Sequence, residues 1–155
     1  MKTIYCYEKG TVETLKSHCK YEAIRELISK VSIFQQLNNI QKLEDAVIRR
    51  EKKQSTGIGQ GVAIAHGKTT EVSKTVVVLG ISKQGISYDS PDGLPVNFLF
   101  LIATPPHEDN NYLSALSVIA RIISNNRFRN EILTINCPRK IEKKFYRAFK
   151  YVTEK

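Results

Sequence analysis

Two stretches of this chain admit little besides buried β-strand. Residues 75–82 (TVVVLGIS) are β-branched and almost wholly apolar, and residues 95–103 close on the apolar run FLFLIA. A half-solvated strand alternates apolar and polar residues, whereas a covered one is a short continuous apolar run bounded by turn residues. Those turn residues are present: Pro91-Asp92-Gly93 precedes the second run and Thr104-Pro105-Pro106 ends it. Residues 11–15 and 62–65 are shorter strand candidates. Between the strands the apolar period changes to that of a helix. Ile24, Leu27, Ile28 and Val31 mark a helix over residues 21–31, and Leu43, Val47 and Ile48 mark another over residues 40–53. Residues 109–124 set Leu113, Leu116, Ile119, Ala120 and Ile123 on one face, with Asn110 or Asn111 as the expected N-cap. Ile141, Phe145 and Phe149 mark a last helix. Helices mixed with buried strands make the class α/β, and a chain of 155 residues with no repeat or Pro/Gly-rich linker suits one domain.

Composition narrows the classes of function. With 41% hydrophobic and 25% charged residues the chain has the makings of a packed interior and is not a disordered polymer. Lys and Arg total 24 against 15 Asp and Glu, a net charge of +9 that favours anionic partners: nucleic acid, a membrane surface or an acidic protein. The bases are dispersed, however. They concentrate only at Arg49-Arg50 with Lys52-Lys53, and at Arg139-Lys140 with Lys143-Lys144 and Arg147. Neither group is interleaved with aromatics as in a nucleic-acid motif, so a solvated basic surface is the expected reading and no nucleic-acid partner is inferred. Cys6, Cys19 and Cys137 are odd in number and form no C-x-x-C pair, which fits reduced thiols. Together with three His they are too sparse for a zinc site, and no metal is expected. The opening MKTIYCYEKG has no apolar signal core, and the run FLFLIA is far too short to span a bilayer. A cytoplasmic protein without direct membrane insertion is expected.

The chemistry-bearing candidates gather between residues 50 and 66. His66 follows an apolar strand and precedes Gly67. A neutral imidazole is a nucleophile near pH 7 and can attack phosphorus directly. Taken alone, a histidine there is more often a packed strand-end residue. The preceding QSTGIGQG places Gly57, Gly59 and Gly61 at alternate positions. Glycines allow close backbone approach, and amides in such a loop can hold an anion. The loop is neither a dinucleotide fingerprint nor a nucleotide P-loop, because a helix precedes it and the loop does not itself end in Gly-Lys-Ser/Thr at the P-loop spacing. Arg50, sixteen residues before His66, carries a guanidinium suited to a forked bond with a phosphoryl oxygen. Ser55 and Thr56 have no base beside them in sequence, and no carboxylate pair stands out for acid–base work.

These pieces, in this order, resemble the enzyme IIA domains of the fructose/mannitol/nitrogen-regulatory class of the bacterial phosphoenolpyruvate-dependent sugar phosphotransferase system. The run RREKKQSTGIGQGVAIAHGKT (residues 49–69) is similar to the family's Arg-Glu, Ser-Thr-Gly-Ile-Gly and Gly-x-Ala-Ile-Pro-His signature. YDSPDGLPVNFLFLIATP (residues 88–105) resembles its Asp-Gly-x-Pro-Val turn and core strand, and the helix from Tyr112 has its Leu-x-x-Leu-x-x-Ile-Ala pattern. The N-terminal helix YEAIRELI also fits. The resemblance implies a mixed sheet with helices on both faces. It implies that His66 accepts a phosphoryl group from the phosphohistidine of the carrier HPr and passes it to a cysteine of a IIB domain. Arg50 is then the residue that neutralises charge on the group in flight, Ser55, Thr56, Gly57, Gly59 and Gly61 form the phosphate-side loop, and no bound cofactor is required. The role implied is coupled sugar uptake or, alternatively, a regulatory switch in which phosphorylation of His66 gates binding to a partner protein. Two positions depart from the family. Ala65 replaces the Pro before the active histidine, and Tyr112 stands where a second histidine is expected. His107, five residues upstream in PPHEDNN, is the candidate substitute if that loop folds inward.

Overall fold

The structure is a computed structural model that describes residues 4–5 and 9–154. Its two apolar runs are the middle of the sheet, β5 (Thr75–Ile86) and β6 (Val96–Thr104), paired antiparallel with Val78 opposite Leu101. The other strands are β1 (Ile4–Tyr5), β2 (Val12–Thr14), β3 (Gly57–Gly59) and β4 (Val62–Lys68). Among the described residues they form one six-stranded sheet of order β1-β5-β6-β4-β3, with β2 also on β5. β1 and β2 run parallel to β5, β4 runs parallel to β6, and β3 closes the far edge antiparallel to β4.

The pleat sorts side chains between two cores. On one face Ala63, Ala65, Val76, Val78, Leu99 and Leu101 meet Leu27 and Ile28 of α1 (Lys20–Lys30) and Leu43 and Val47 of α2 (Ile40–Lys53). On the other, Ile64, Val77, Leu79, Phe100 and Ile102 meet three helices: α3 (Asp109–Ile123), α4 (Asn126–Thr134) and α5 (Pro138–Thr153). The fold is therefore a mixed α/β sheet with helices on both faces. Cys19 and Cys137 carry free thiols, and Cys6 lies outside the described residues. Among the described residues no group of His, Cys, Asp or Glu is arranged to hold a metal, and no helix is long and apolar enough to cross a membrane.

Several elements differ from the sequence expectation. β4 continues past Ala65 to Lys68 because β6 offers it backbone partners throughout, with His66 opposite Ile102 and Lys68 opposite Thr104. β5 outlasts its apolar run and reaches Ile86 through a register shift after Ile81, with Gly85 at φ +92°. The loop QSTGIGQG contains β3, which has backbone pairing but no side-chain pattern to announce it. Neither Asn110 nor Asn111 caps α3. The N-cap is Glu108, which makes no side-chain capping bond, and Asn111 Nδ2 donates to Glu108 Oε1 at 2.9 Å from within the first turn. The unexpected α4 is short, buries only Ile132 and is capped by Asn125, whose side chain accepts from Phe128 N at 3.1 Å.

One close approach sets where α2 lies. A Cβ at Gly67 would fall 2.9 Å from Val47 N and 3.2 Å from the carbonyl carbon of Ala46. Those are backbone atoms and have no rotamer to turn away with. Gly67→Ala is expected to push α2 off β4 and cost about 1–3 kcal/mol, the usual penalty of overpacking. Urea unfolding checks this as a lower midpoint at unchanged slope.

Candidate active site

His66 continues the series Val62, Ile64, His66 on β4, so its ring faces α3, while Gly67 beside it faces α2. The strand end thereby lies between the two helical layers. The imidazole is half-buried, and its Nδ1 is 3.5 Å from the Ile64 carbonyl oxygen and 3.5 Å from the Tyr112 hydroxyl. The His66 and Tyr112 rings are tilted by 39°, with centroids 4.7 Å apart. Burial holds the His66 pKa below its ordinary value; the Ile64 carbonyl opposes this, the Arg50 charge reinforces it, Glu51 opposes it and Lys68 reinforces it. The ring is therefore neutral at pH 7. A carbonyl facing Nδ1 favours the Nδ1–H tautomer, which leaves the Nε2 lone pair as the nucleophile.

Arg50 sits in the last turn of α2, where Nη1 donates to the Gln54 carbonyl at 2.8 Å. Its charge is felt by both His66 and Tyr112, which makes these three residues one electrostatic unit. Tyr112 is half-buried, and that burial pushes its phenol up, against the pull of Arg50, so it remains neutral. Lys68, exposed at the end of β4, pairs with Asp109 Oδ1 at 2.6 Å. His107 does not fold inward. Its side chain is 78% exposed and its Nε2 lies 3.9 Å from Glu108 Oε2, so the residue that meets His66 is Tyr112. Starting α3 at Asp109 is what brings Tyr112 inward and leaves His107 on the approach to the helix.

The loop before β4 is braced by Glu51, by its own Ser55 and by Asp92. Thr56 N donates to Glu51 Oε2 at 2.7 Å, Gly57 N to Ser55 Oγ at 3.2 Å, and Gln60 N to Asp92 Oδ2 at 2.8 Å, so these amides are engaged. Ser55 Oγ also donates to the Tyr88 carbonyl at 3.0 Å. A Cβ at Gly57 would meet Ser90, with Oγ at 2.5 Å and Cα at 3.2 Å, so Ser90 would have to shift, and Gly59, Gln60 and Gly61 turn the β3–β4 hairpin at φ +93°, +58° and +79°. Sequence reasoning passed over Glu51 and Tyr88. A signal for Glu51 was available: it lies three and four residues beyond Ile48 and Val47, on the buried stripe of α2.

A mixed α/β sheet that holds a half-buried neutral imidazole against a phenol, within the field of a guanidinium, is a setting suited to a nucleophilic histidine. Residues 7–147 match the family model described as the phosphoenolpyruvate-dependent sugar phosphotransferase system, EIIA 2, and the chain belongs to that family. It is 34% identical over 134 residues to the fructose-specific EIIABC component of Bacillus subtilis, a match covering 86% of this chain and 21% of that protein. It is 33% identical over 115 residues to a nitrogen regulatory protein of Bradyrhizobium diazoefficiens, covering 74% of each. The fructose-specific EIIA component of Haloferax volcanii is 36% identical over 89 residues, 57% of this chain and 58% of that one. The chain thus spans about a fifth and under two thirds of the two fructose-specific relatives. Among solved structures, the nitrogen regulatory protein IIA-Ntr of Neisseria meningitidis superposes with TM-score 0.73 at 25% identity over 90% of this chain and 96% of that one. Mannitol IIA of Escherichia coli shares the fold, with TM-score 0.63 at 20% identity over 76% of this chain and 83% of that one.

Proposed function

We propose that this chain is a phosphocarrier whose His66 Nε2 takes a phosphoryl group from the phosphohistidine of an HPr-like donor. The N–P bond of the donor breaks as Nε2–P forms, and the donor imidazole recovers its lone pair. In the second step a cysteine thiolate of a IIB domain attacks the same phosphorus, S–P forms, and the electron pair returns to Nε2. His66 keeps its Nδ1 proton throughout, directed at the Ile64 carbonyl. Such a transfer is mainly positioning and charge stabilisation, for which Arg50 is the cation at hand. Neither step calls for a bound cofactor. The observation that carries the reading is the neutral His66 ring with Nδ1 covered and Arg50 beside it, in a chain of the EIIA 2 family. The reading places the chain in the cytoplasm with its donor.

The 74% mutual coverage with a nitrogen regulatory protein favours a second use of the same chemistry, in which phosphorylation gates a partner protein. A phosphoryl group adds about −1.5 to −2 charges, enough to make or break an interface. Discharge of the phosphorylated chain by a IIB domain on the time scale of its charging supports uptake. Stable phosphorylation that is not discharged by IIB but changes affinity for a regulator supports the switch.

Tyr112 bears on the rate. Its hydroxyl offers one hydrogen bond and no positive charge at neutral pH. Tyr112→His is expected to speed phosphoryl acceptance by about fivefold, the worth of turning a neutral hydrogen bond into a charge-assisted one. Single-turnover charging by phospho-HPr checks it, and equal rates would show that the phenol already suffices.

A further inference from the structure

Glu51 has no part in the transfer just described, yet its surroundings are unusual. Its carboxylate is 2% exposed, one residue after Arg50. A charge so placed persists only where partners replace water. Four donors do so: Thr56 N at 2.7 Å, Thr56 Oγ1, Tyr88 OH at 3.0 Å and Lys20 Nζ at 3.5 Å. Burial and the charge of Glu51 push the Tyr88 phenol far up, so it stays a donor, and Lys20 lies 5.2 Å above its ring.

Two routes lead from this carboxylate to the site. Along the first, the Thr56 carbonyl accepts from Ile64 N at 3.1 Å, and the Ile64 carbonyl faces His66 Nδ1. Along the second, the turn that Glu51 closes onto Thr56 contains Gln54, the C-cap of α2, whose carbonyl accepts from Arg50 Nη1 at 2.8 Å. We infer that Glu51 is a positioning residue: by closing the turn from 51 to 56 it fixes both the guanidinium of Arg50 and the orientation and tautomer of His66. The part of this inference that concerns transfer rate rests on the phosphocarrier reading. The part that concerns the His66 ring does not.

The test uses the full chain with nitrogen-15-labelled histidine, as wild type, Glu51→Gln and Tyr88→Phe. The charges that act on His66 are those of Arg50 and Glu51 from α2 and Lys68 from its own strand, and Tyr112 from α3 meets its ring. Wild type is expected to show the Nδ1–H tautomer. Glu51→Gln is expected to raise the Nε2–H fraction and to slow charging of His66 by phospho-HPr about 10- to 100-fold, the range that a misplacement near one ångström produces. Tyr88→Phe keeps the carboxylate and the ring but removes one donor, so it moves both readings in the same direction by a smaller factor. It also decides the matter should Glu51→Gln not fold. A folded variant with lowered melting temperature but unchanged tautomer and charging rate would overturn the inference and leave Glu51 a stabiliser of the fold only. A wild-type chain that takes no phosphoryl group would sink the phosphocarrier reading alone, since the tautomer still decides whether Glu51 sets His66.

Discussion

His66→Ala is expected to abolish phosphoryl acceptance while leaving the fold in place. β4 is held by backbone pairing to β6, and His66 is half-buried two residues before the end of that strand and is not among the residues of either apolar core. Truncation therefore removes the nucleophile without opening a core cavity. Circular dichroism and urea midpoint should stay near wild type while the mass gain vanishes. The wild-type pH profile adds a second constraint. Protonated imidazole has no free lone pair, so charging falls as pH drops through the His66 pKa. Burial and the neighbouring cations place that pKa below the ordinary 6.5. The acid limb should therefore have its midpoint below that of a free histidine, measured as kcat/KM for charging against pH. A midpoint above 6.5 would contradict the account of the site.

Arg50→Ala is expected to slow transfer about 10²- to 10³-fold, the usual loss when one preorganised group facing developing charge is removed. The cause is electrostatic: the group in flight carries negative charge on three oxygens, and Arg50 is the guanidinium whose field reaches both His66 and Tyr112. Removing a positive charge also makes protonation of His66 easier, so the acid limb should move up in pH. Arg50→Lys keeps the charge and loses the planar fork, and should lie between the two in rate with a smaller shift of the limb. Arg50→Ala with an unchanged rate and an unchanged limb would remove Arg50 from the site. Stability should change little, because the one bond lost is that to the Gln54 carbonyl on a partly exposed turn.

How much of this was legible follows from the range of the interactions. α2 occupies Ile40–Lys53 as its apolar period and the polar residues after it indicated. β5 and β6 announced themselves because both their faces are covered, and the sheet with helices on each side followed from the family resemblance. Short or edge elements did not. β3 is glycine-rich and exists through its pairing with Ala63 and Val62, while α4 places a single residue in the core. Of the candidate residues, His66, Arg50 and Tyr112 are brought together. His107 is not: it lies before α3, which starts at Asp109 as its apolar period indicated, and its side chain stays exposed. Ser55, Thr56 and the glycines were read as a phosphate-side loop. The amides of Thr56, Gly57 and Gln60 bond to Glu51, Ser55 and Asp92, and Asp92, 32 residues from Gln60, is invisible to a local motif. Tyr88 is 37 residues from Glu51, a contact that only the folded chain can state.

The most direct test of the central claim is to incubate the wild-type chain with phosphoenolpyruvate, enzyme I and HPr and to locate any added mass by fragmentation under neutral conditions. A phosphate-sized gain on His66, lost in acid and discharged by a IIB domain, is the expected result. A folded chain that gains no mass, in a mixture that charges another IIA domain, would contradict it.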